Sequence, residues 1–387
     1  MENVLIIGAG HVGSTLAVDM YARRHETLLE PHLIVIEPEN HSFFKQSDPL
    51  QFSMENILSG ETHFATFPKN NLHHFGYDLS ELFRTSIAVI LTVPDIPSLR
   101  ERLLQYIEAS PLQPGATIAF VRAGQGGQIP LIDKWRKSAR LSRMHLLLIE
   151  DSFYGTRCIN NVIEYKRKKV TRVATTGDER VSALLFGERV FSGNTIGAHE
   201  HKFELVRPLD LQFDPLGYII HLAVAFDPVN LCRTRRGEQY LHYSDGVHEG
   251  NSELIETLDR ERVRLAGSFG ASTRLFTDML TEQYGIPQQK NYLEMIKSTS
   301  TIYRSLSEVS IDKLKSGRII SEDYPGLLTM RWLTSVSGED YTITNQFENT
   351  INEILTSLEV NTDNLKGYEC YLESLKLKKH DLINLLT

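Results

Sequence analysis

Cysteine is scarce in this chain: Cys158, Cys232 and Cys370 are the only three in 387 residues. They are far apart and odd in number, and none has the close spacing of zinc ligands. That excludes a disulfide framework and a cysteine-built metal site, and a reduced, cytoplasmic protein is the economical reading. Positive charge is also in short supply. Lys and Arg number 41 against 49 Asp and Glu, a formal net charge of −8, which argues against nucleic acid as a partner. The one basic cluster, Lys166-Arg167-Lys168-Lys169, reads as a solvated turn between strands. No apolar run approaches the roughly 18 residues of a membrane span. Glu2, Gly8 and Gly10 break up the apolar start that a signal peptide would need.

What the sequence does have is concentrated at its start. Val4-Leu5-Ile6-Ile7 is a buried-strand run that opens into Gly8-Ala9-Gly10-His11-Val12-Gly13, and a helix-like stretch follows from Ser14. This is the glycine fingerprint of a dinucleotide site in its proper context. Gly8 permits the tight turn, Gly10 lets the backbone approach a pyrophosphate, and Gly13 allows close helix–strand packing. The N–H groups at the helix start, from His11 and Val12 onward, face the anion. A second apolar strand, Leu33-Ile34-Val35-Ile36, ends at Glu37. An acid there accepts hydrogen bonds from a ribose and repels a 2′-phosphate, so NAD(H) is expected in preference to NADP(H). Lys45 or Arg23 would have to hold the phosphate if NADP(H) binds.

A hydrophobic content of 41% over 387 residues supports a large core and two domains. The first, residues 1–200, alternates strands and helices. Ile87–Val93, Thr117–Val121, Met144–Glu150 and Val170–Thr175 read as further strands, and Pro97–Ile107 as a helix. Residues 39–76 are turn-rich and receive no assignment. The expectation is a doubly wound α/β sheet of Rossmann type, parallel throughout. Gly124-Gln125-Gly126-Gly127 would lie at its carboxyl edge, where ligands bind. The second domain, residues 201–387, shows helical periodicity in Ser252–Phe269 (with an i,i+4 pair Glu256–Arg260), Thr273–Gln283, Tyr292–Ser300 and Phe347–Leu358. The two domains are expected to pack with a cleft between them.

Several stretches together resemble the opine dehydrogenases over roughly residues 3–330. They are the fingerprint, Gly124–Gly127, the segment Glu150–Arg157, Tyr218-Ile219-Ile220-His221, the aromatic-acid-Gly segment Tyr240–Val247, and Ser321-Glu322-Asp323-Tyr324-Pro325-Gly326-Leu327. The resemblance implies that His221 is the catalytic histidine and Asp323 its partner, with Tyr154 and Arg157 contacting substrate. It further implies reductive condensation of an amino acid with a pyruvate-like 2-oxo acid, at the expense of NAD(P)H. Tyr218 and Leu222 stand where the family often has Asn and Pro, and this stretch is somewhat closer to the opine metallophore synthases.

The residues themselves leave alternatives open. His221 lies in an apolar run where a histidine is usually core, and Asp323 could be a helix cap. Arg157 could bind a substrate carboxylate or pair with Asp151. His242 and His248 are rival proton donors, and their spacing makes no metal site. A 3-hydroxyacid or ketopantoate-type dehydrogenase would place the donor on a lysine, with Lys290 and Lys297 available. A catalytically silent dinucleotide-binding regulator is a third reading. A homodimer is compatible with all of them.

Overall fold

A computed structural model of the chain describes residues 1–37, 39, 41–122, 128–176, 186–190, 201–299, 307 and 310–387. The chain divides into two compact units. One comprises Met1–Pro94, Leu99–Ala123 and Asp133–Pro208; the other comprises Asp95–Ser98, Gly124–Ile132 and Leu209–Thr387.

The strands, in chain order, are β1 (Glu2–Ile7), β2 (Leu29–Val35), β3 (Leu50–Asn56), β4 (Thr62–Phe67), β5 (Leu72–His74) and β6 (Ser86–Leu91). They continue as β7 (Thr117–Phe120), β8 (His145–Ile149), β9 (Tyr154–Ile159), β10 (Val162–Arg167), β11 (Val170–Ala174) and β12 (Lys202–Val206). Eight of them form one sheet in the order β12-β11-β8-β7-β6-β1-β2-β5. From β5 to β8 all neighbours are parallel. Val4, Leu5, Ile6 and Ile7 are wholly buried, as expected for a strand covered on both faces. The expectation of a parallel sheet fails at one place, where β11 runs antiparallel to β8. The intervening chain is the hairpin β9–β10 rather than a crossover helix, and a hairpin returns the chain in the opposite sense.

The strand order reverses at β1, with β2 and β5 to one side and β6, β7 and β8 to the other. Such a switch point opens a crevice at the carboxyl ends of the strands. The glycine turn lies there.

Residues 39–76 are the largest gap in the sequence reading. They supply β3, β4 and β5, and with β9 and β10 the first two build a second sheet in the order β4-β3-β10-β9. Helix α1 (His11–Ala22) packs against β1 and β2 on one side and against β4, β9 and β10 on the other. This explains why every residue from Gly13 to Met20 is buried and why the hydroxyls of Ser14 and Thr15 turn back onto the carbonyls of Ala9 and His11. The buried charge of the run, Asp19, pairs with Arg23 at 2.8 Å.

The basic cluster also needs correction. Lys166, Arg167 and Lys168 are 1%, 5% and 2% exposed: the first two end β10, and Lys168 with the exposed Lys169 makes the turn to β11, so only Lys169 is solvated as expected. Lys166 sits opposite Gly155 in the ladder, and the missing side chain there leaves room for its aliphatic stem. Lys168 ion-pairs with Asp151 at 2.7 Å.

The second unit is helical. We label α2 (Gly217–Ala225), α3 (Glu249–Ser268) and α4 (Tyr324–Ser337). The expected pair Glu256–Arg260 is present on α3 at 2.6 Å. Apart from Gly217 and His221, every residue of α2 is buried. It packs against α3, α4 and a single π-turn, Ile319–Asp323, which leads into α4. Pro325 has no N–H with which to close an ordinary turn at that junction, and a widened turn is a common outcome next to functional residues.

Candidate active site

Two sites emerge, one in each unit. In the first, Gly8 adopts φ +112°, which L side chains rarely take. Its N–H donates to the Ile34 carbonyl at 3.0 Å, tying the turn to β2. Thr92, just past β6, donates its hydroxyl to the Gly8 carbonyl at 2.8 Å. A Cβ on Gly13 would lie 1.8 Å from the Gly8 carbonyl oxygen, so the helix start is pressed onto the turn. A Cβ on Gly10 would meet nothing within 4 Å. The backbone is therefore bare at the position where a pyrophosphate approaches. Val12 is half-buried, and the His11 ring is turned aside, its Nδ1 accepting from the Cys158 N–H at 3.0 Å. Glu37 lies two residues past the end of β2 and is exposed. These residues fit an adenine dinucleotide carrying a free ribose 2′-hydroxyl. Gly124, read as a further cofactor contact, lies outside the described residues.

In the second unit, His221 projects from the middle of α2 with its side chain 14% exposed. Its Nδ1 is 2.9 Å from Oδ2 of Asp323, a residue 102 positions away that is fully buried at the end of the π-turn. Asp323 precedes α4, but its side chain makes no cap hydrogen bond; the carboxylate is given to the histidine instead. An acceptor at Nδ1 fixes the proton there and leaves Nε2 as the working nitrogen. Nε2 lies 2.7 Å from the hydroxyl of Tyr243.

Tyr243 comes from a turn that is pinned at several points. The Leu241 N–H donates to Asp245 at 2.9 Å, and the Gly246 carbonyl accepts from Asn230 at 2.8 Å and from Asn251 at 2.9 Å. His242 is 6% exposed, and its ring centre is 5.4 Å from that of His221. Burial, with His221 alongside, pulls the His242 imidazole down to about 3, so it stays neutral. Its Nε2 has no hydrogen-bond partner among the described residues.

The other sequence candidates fall elsewhere. Tyr154 is buried, and its hydroxyl donates to Asp19 within the Asp19–Arg23 pair of the first unit. Arg157 lies on β9 opposite Glu164 of β10, whereas Asp151 pairs with Lys168 and with Arg122 at 3.3 Å. His248 caps α3, accepting from the Gly250 N–H at 3.1 Å, with its Nε2 3.1 Å from Asp227. Lys290 and Lys297 are exposed. No group of three or more potential metal ligands occurs among the described residues.

With this geometry in hand, the comparisons are specific. Residues 206–354 match the family described as NAD/NADP octopine/nopaline dehydrogenase, alpha-helical domain. That match falls almost wholly within the helical second unit. An octopine dehydrogenase solved with NADH and L-arginine is 16% identical, with a TM-score of 0.67 over 92% of this chain and 90% of that one. A D-mandelate dehydrogenase solved with NADH and anilino(oxo)acetate is 13% identical, with a TM-score of 0.54 over 92% of this chain and 100% of that one. A ketopantoate reductase from Ralstonia eutropha is 12% identical, with a TM-score of 0.57 over 92% and 99%. These structural likenesses establish a shared fold. No curated protein sequence matches the chain.

Within the matched residues, the one that sequence reasoning missed is Tyr243. Its signal was the aromatic density of Tyr240-Leu241-His242-Tyr243 just before Asp245-Gly246. That segment was noted as a motif, but no chemical role was attached to its tyrosines.

Proposed function

We propose that this chain is an opine dehydrogenase acting with NAD(H), which joins the amine of an amino acid to the carbonyl carbon of a pyruvate-like 2-oxo acid. The observation that carries this reading is the contact of His221 with the buried Asp323. Nothing local brings residues so far apart together, and reduction of a C=N bond requires a proton supplied at a fixed position. A bound nicotinamide would supply the hydride. The first unit's contribution is the bare turn at Gly8, Gly10 and Gly13 and the acid at Glu37, which suit NAD(H). Arg157 is a candidate partner for a substrate carboxylate.

The rival reading, a 3-hydroxyacid or ketopantoate-type dehydrogenase, draws support from the ketopantoate reductase likeness. It needs a lysine donor, and Lys290 and Lys297 are both solvent-facing. The test is NADH oxidation against a grid of amino acids and 2-oxo acids. Oxidation that requires both partners supports the opine reading. Oxidation with the oxo acid alone moves the assignment to the rival, and binding without turnover makes the chain a regulator. The same reading places the protein in the cytoplasm, where Cys158, Cys232 and Cys370 stay free thiols, and it is compatible with a homodimer. No helix among the described residues is long and apolar enough to cross a membrane.

A further inference from the structure

The working nitrogen of His221 does not face open space; it faces a phenol. Nδ1 is committed to the buried Asp323, and the 2.7 Å contact from Nε2 goes to the hydroxyl of Tyr243. A tyrosine hydroxyl both donates and accepts. When His221 is neutral, the Tyr243 hydroxyl donates to Nε2. When His221 is protonated, Nε2–H donates to the Tyr243 oxygen and frees the phenolic proton for another acceptor. The burial pattern gives this chain a direction. Asp323 is fully buried, whereas the His221 side chain is 14% exposed and Tyr243 is half-buried, so the carboxylate is the closed end of the series and the imidazole and phenol are its accessible end.

We infer that Tyr243, not His221, is the group that hands the proton to the substrate, with Asp323 and His221 as its proton supply. The inference rests on the dehydrogenase reading above and adds a residue to it. As the C=N carbon accepts hydride, its π pair moves to nitrogen. That nitrogen takes the proton from the Tyr243 hydroxyl, forming N–H and breaking O–H. The phenolate oxygen takes a proton from Nε2 of protonated His221, which is left neutral with Nδ1–H still on Asp323. One hydride and one proton reach the substrate, and the charge lost by His221 is recovered from solvent.

The surroundings suit the relay. The rings of His221, His242 and Tyr243 lie mutually edge-on with centres 5.2–5.9 Å apart. The charged or titratable groups around them include Asp323, His242, Arg318 near His242, and the buried Tyr292 near Tyr243. A neutral His242 adds no second positive charge that would discourage protonation of His221. The pinned turn at Asp245, Asn230 and Asn251 holds the phenol in place without help from a ligand.

Tyr243→Phe keeps the ring and removes only the hydroxyl. The expected result is a fall in kcat of about 10²-fold or more, with KM and NADH binding within about twofold of wild type, and recovery of most of the lost turnover when 3-fluorotyrosine is placed at position 243. In the cofactor-free protein with ring-15N histidine, the Nε2 resonance of His221 should move on Tyr243→Phe, a signal that does not depend on turnover. A Phe variant that keeps its kcat, or an Nε2 resonance that does not respond, overturns the donor role while leaving the dehydrogenase reading intact. A wild-type protein that turns over no amine and oxo-acid pair removes both.

Discussion

Asp323 and His221 are held 2.9 Å apart by two segments with no sequence proximity, a π-turn and the centre of a buried helix. A buried carboxylate on Nδ1 selects one tautomer and stabilises the imidazolium that forms when the ring takes up a proton. His221→Ala should therefore lower kcat by about 10² to 10⁴ while NADH binding stays near wild type. Asp323→Asn should do comparable damage, and the double variant should be little worse than either single one, because the pair acts as a unit. Steady-state kinetics on the three variants check this, and additive losses would mean separate roles.

How much of this was legible in the sequence depends on the range of the interactions. The dinucleotide turn was readable because its constraints are local: strand, turn and helix lie within one short stretch, and each glycine has a steric reason. The second sheet was not. β3 pairs with β4 and with β10, which is more than 100 residues away; β3 alternates cleanly, but β4 turns the apolar Phe64 outward and so shows no clear apolar face. The burial of Lys166 was hidden for the same reason. Four consecutive basic residues look solvated unless the ladder partner, here Gly155, is known. His221 and Asp323 were found through family resemblance, since an apolar run around one histidine gives no local sign of chemistry.

The two inner positions of the glycine turn should separate folding from binding. Gly13→Ala drives a Cβ into the Gly8 carbonyl and should cost stability by about 1–3 kcal/mol, the usual range for overpacking, along with cofactor affinity. Gly10→Ala meets nothing in the protein. It should unfold at the wild-type denaturant concentration yet bind NADH at least tenfold more weakly. Equal stability losses in both variants would contradict the assignment of Gly10 to the ligand side.

Glu37 should set cofactor choice. Its exposed carboxylate just past β2 opposes a 2′-phosphate and offers acceptors to a free ribose. The wild-type protein should favour NADH over NADPH in kcat/KM by more than tenfold, about 1.4 kcal/mol. Glu37→Ser should shrink that ratio mainly by weakening NADH. A preference for NADPH in the wild type would mean that a nearby cation such as Lys45 takes over the site.

Lys166 gives the fold a pH signature. Burial, reinforced by Lys168 and opposed by Asp151, brings its ammonium from the ordinary 10.5 down to about 6. Between those two values the unfolded chain carries a proton on this lysine that the folded chain does not. Stability linked to this group is therefore complete above 10.5, falls as pH drops, and reaches its floor near 6, with a slope of at most about 1.4 kcal/mol per pH unit. Lys166→Met keeps most of the buried stem and removes the titration. Denaturant midpoints for the two proteins should converge as pH rises from 6.5 to 9, with the variant ahead at the lower pH. Other titrating groups cancel in the difference between the two proteins. If that difference stays constant with pH, the lysine keeps its proton in the folded state and holds its charge against a partner inside the first unit.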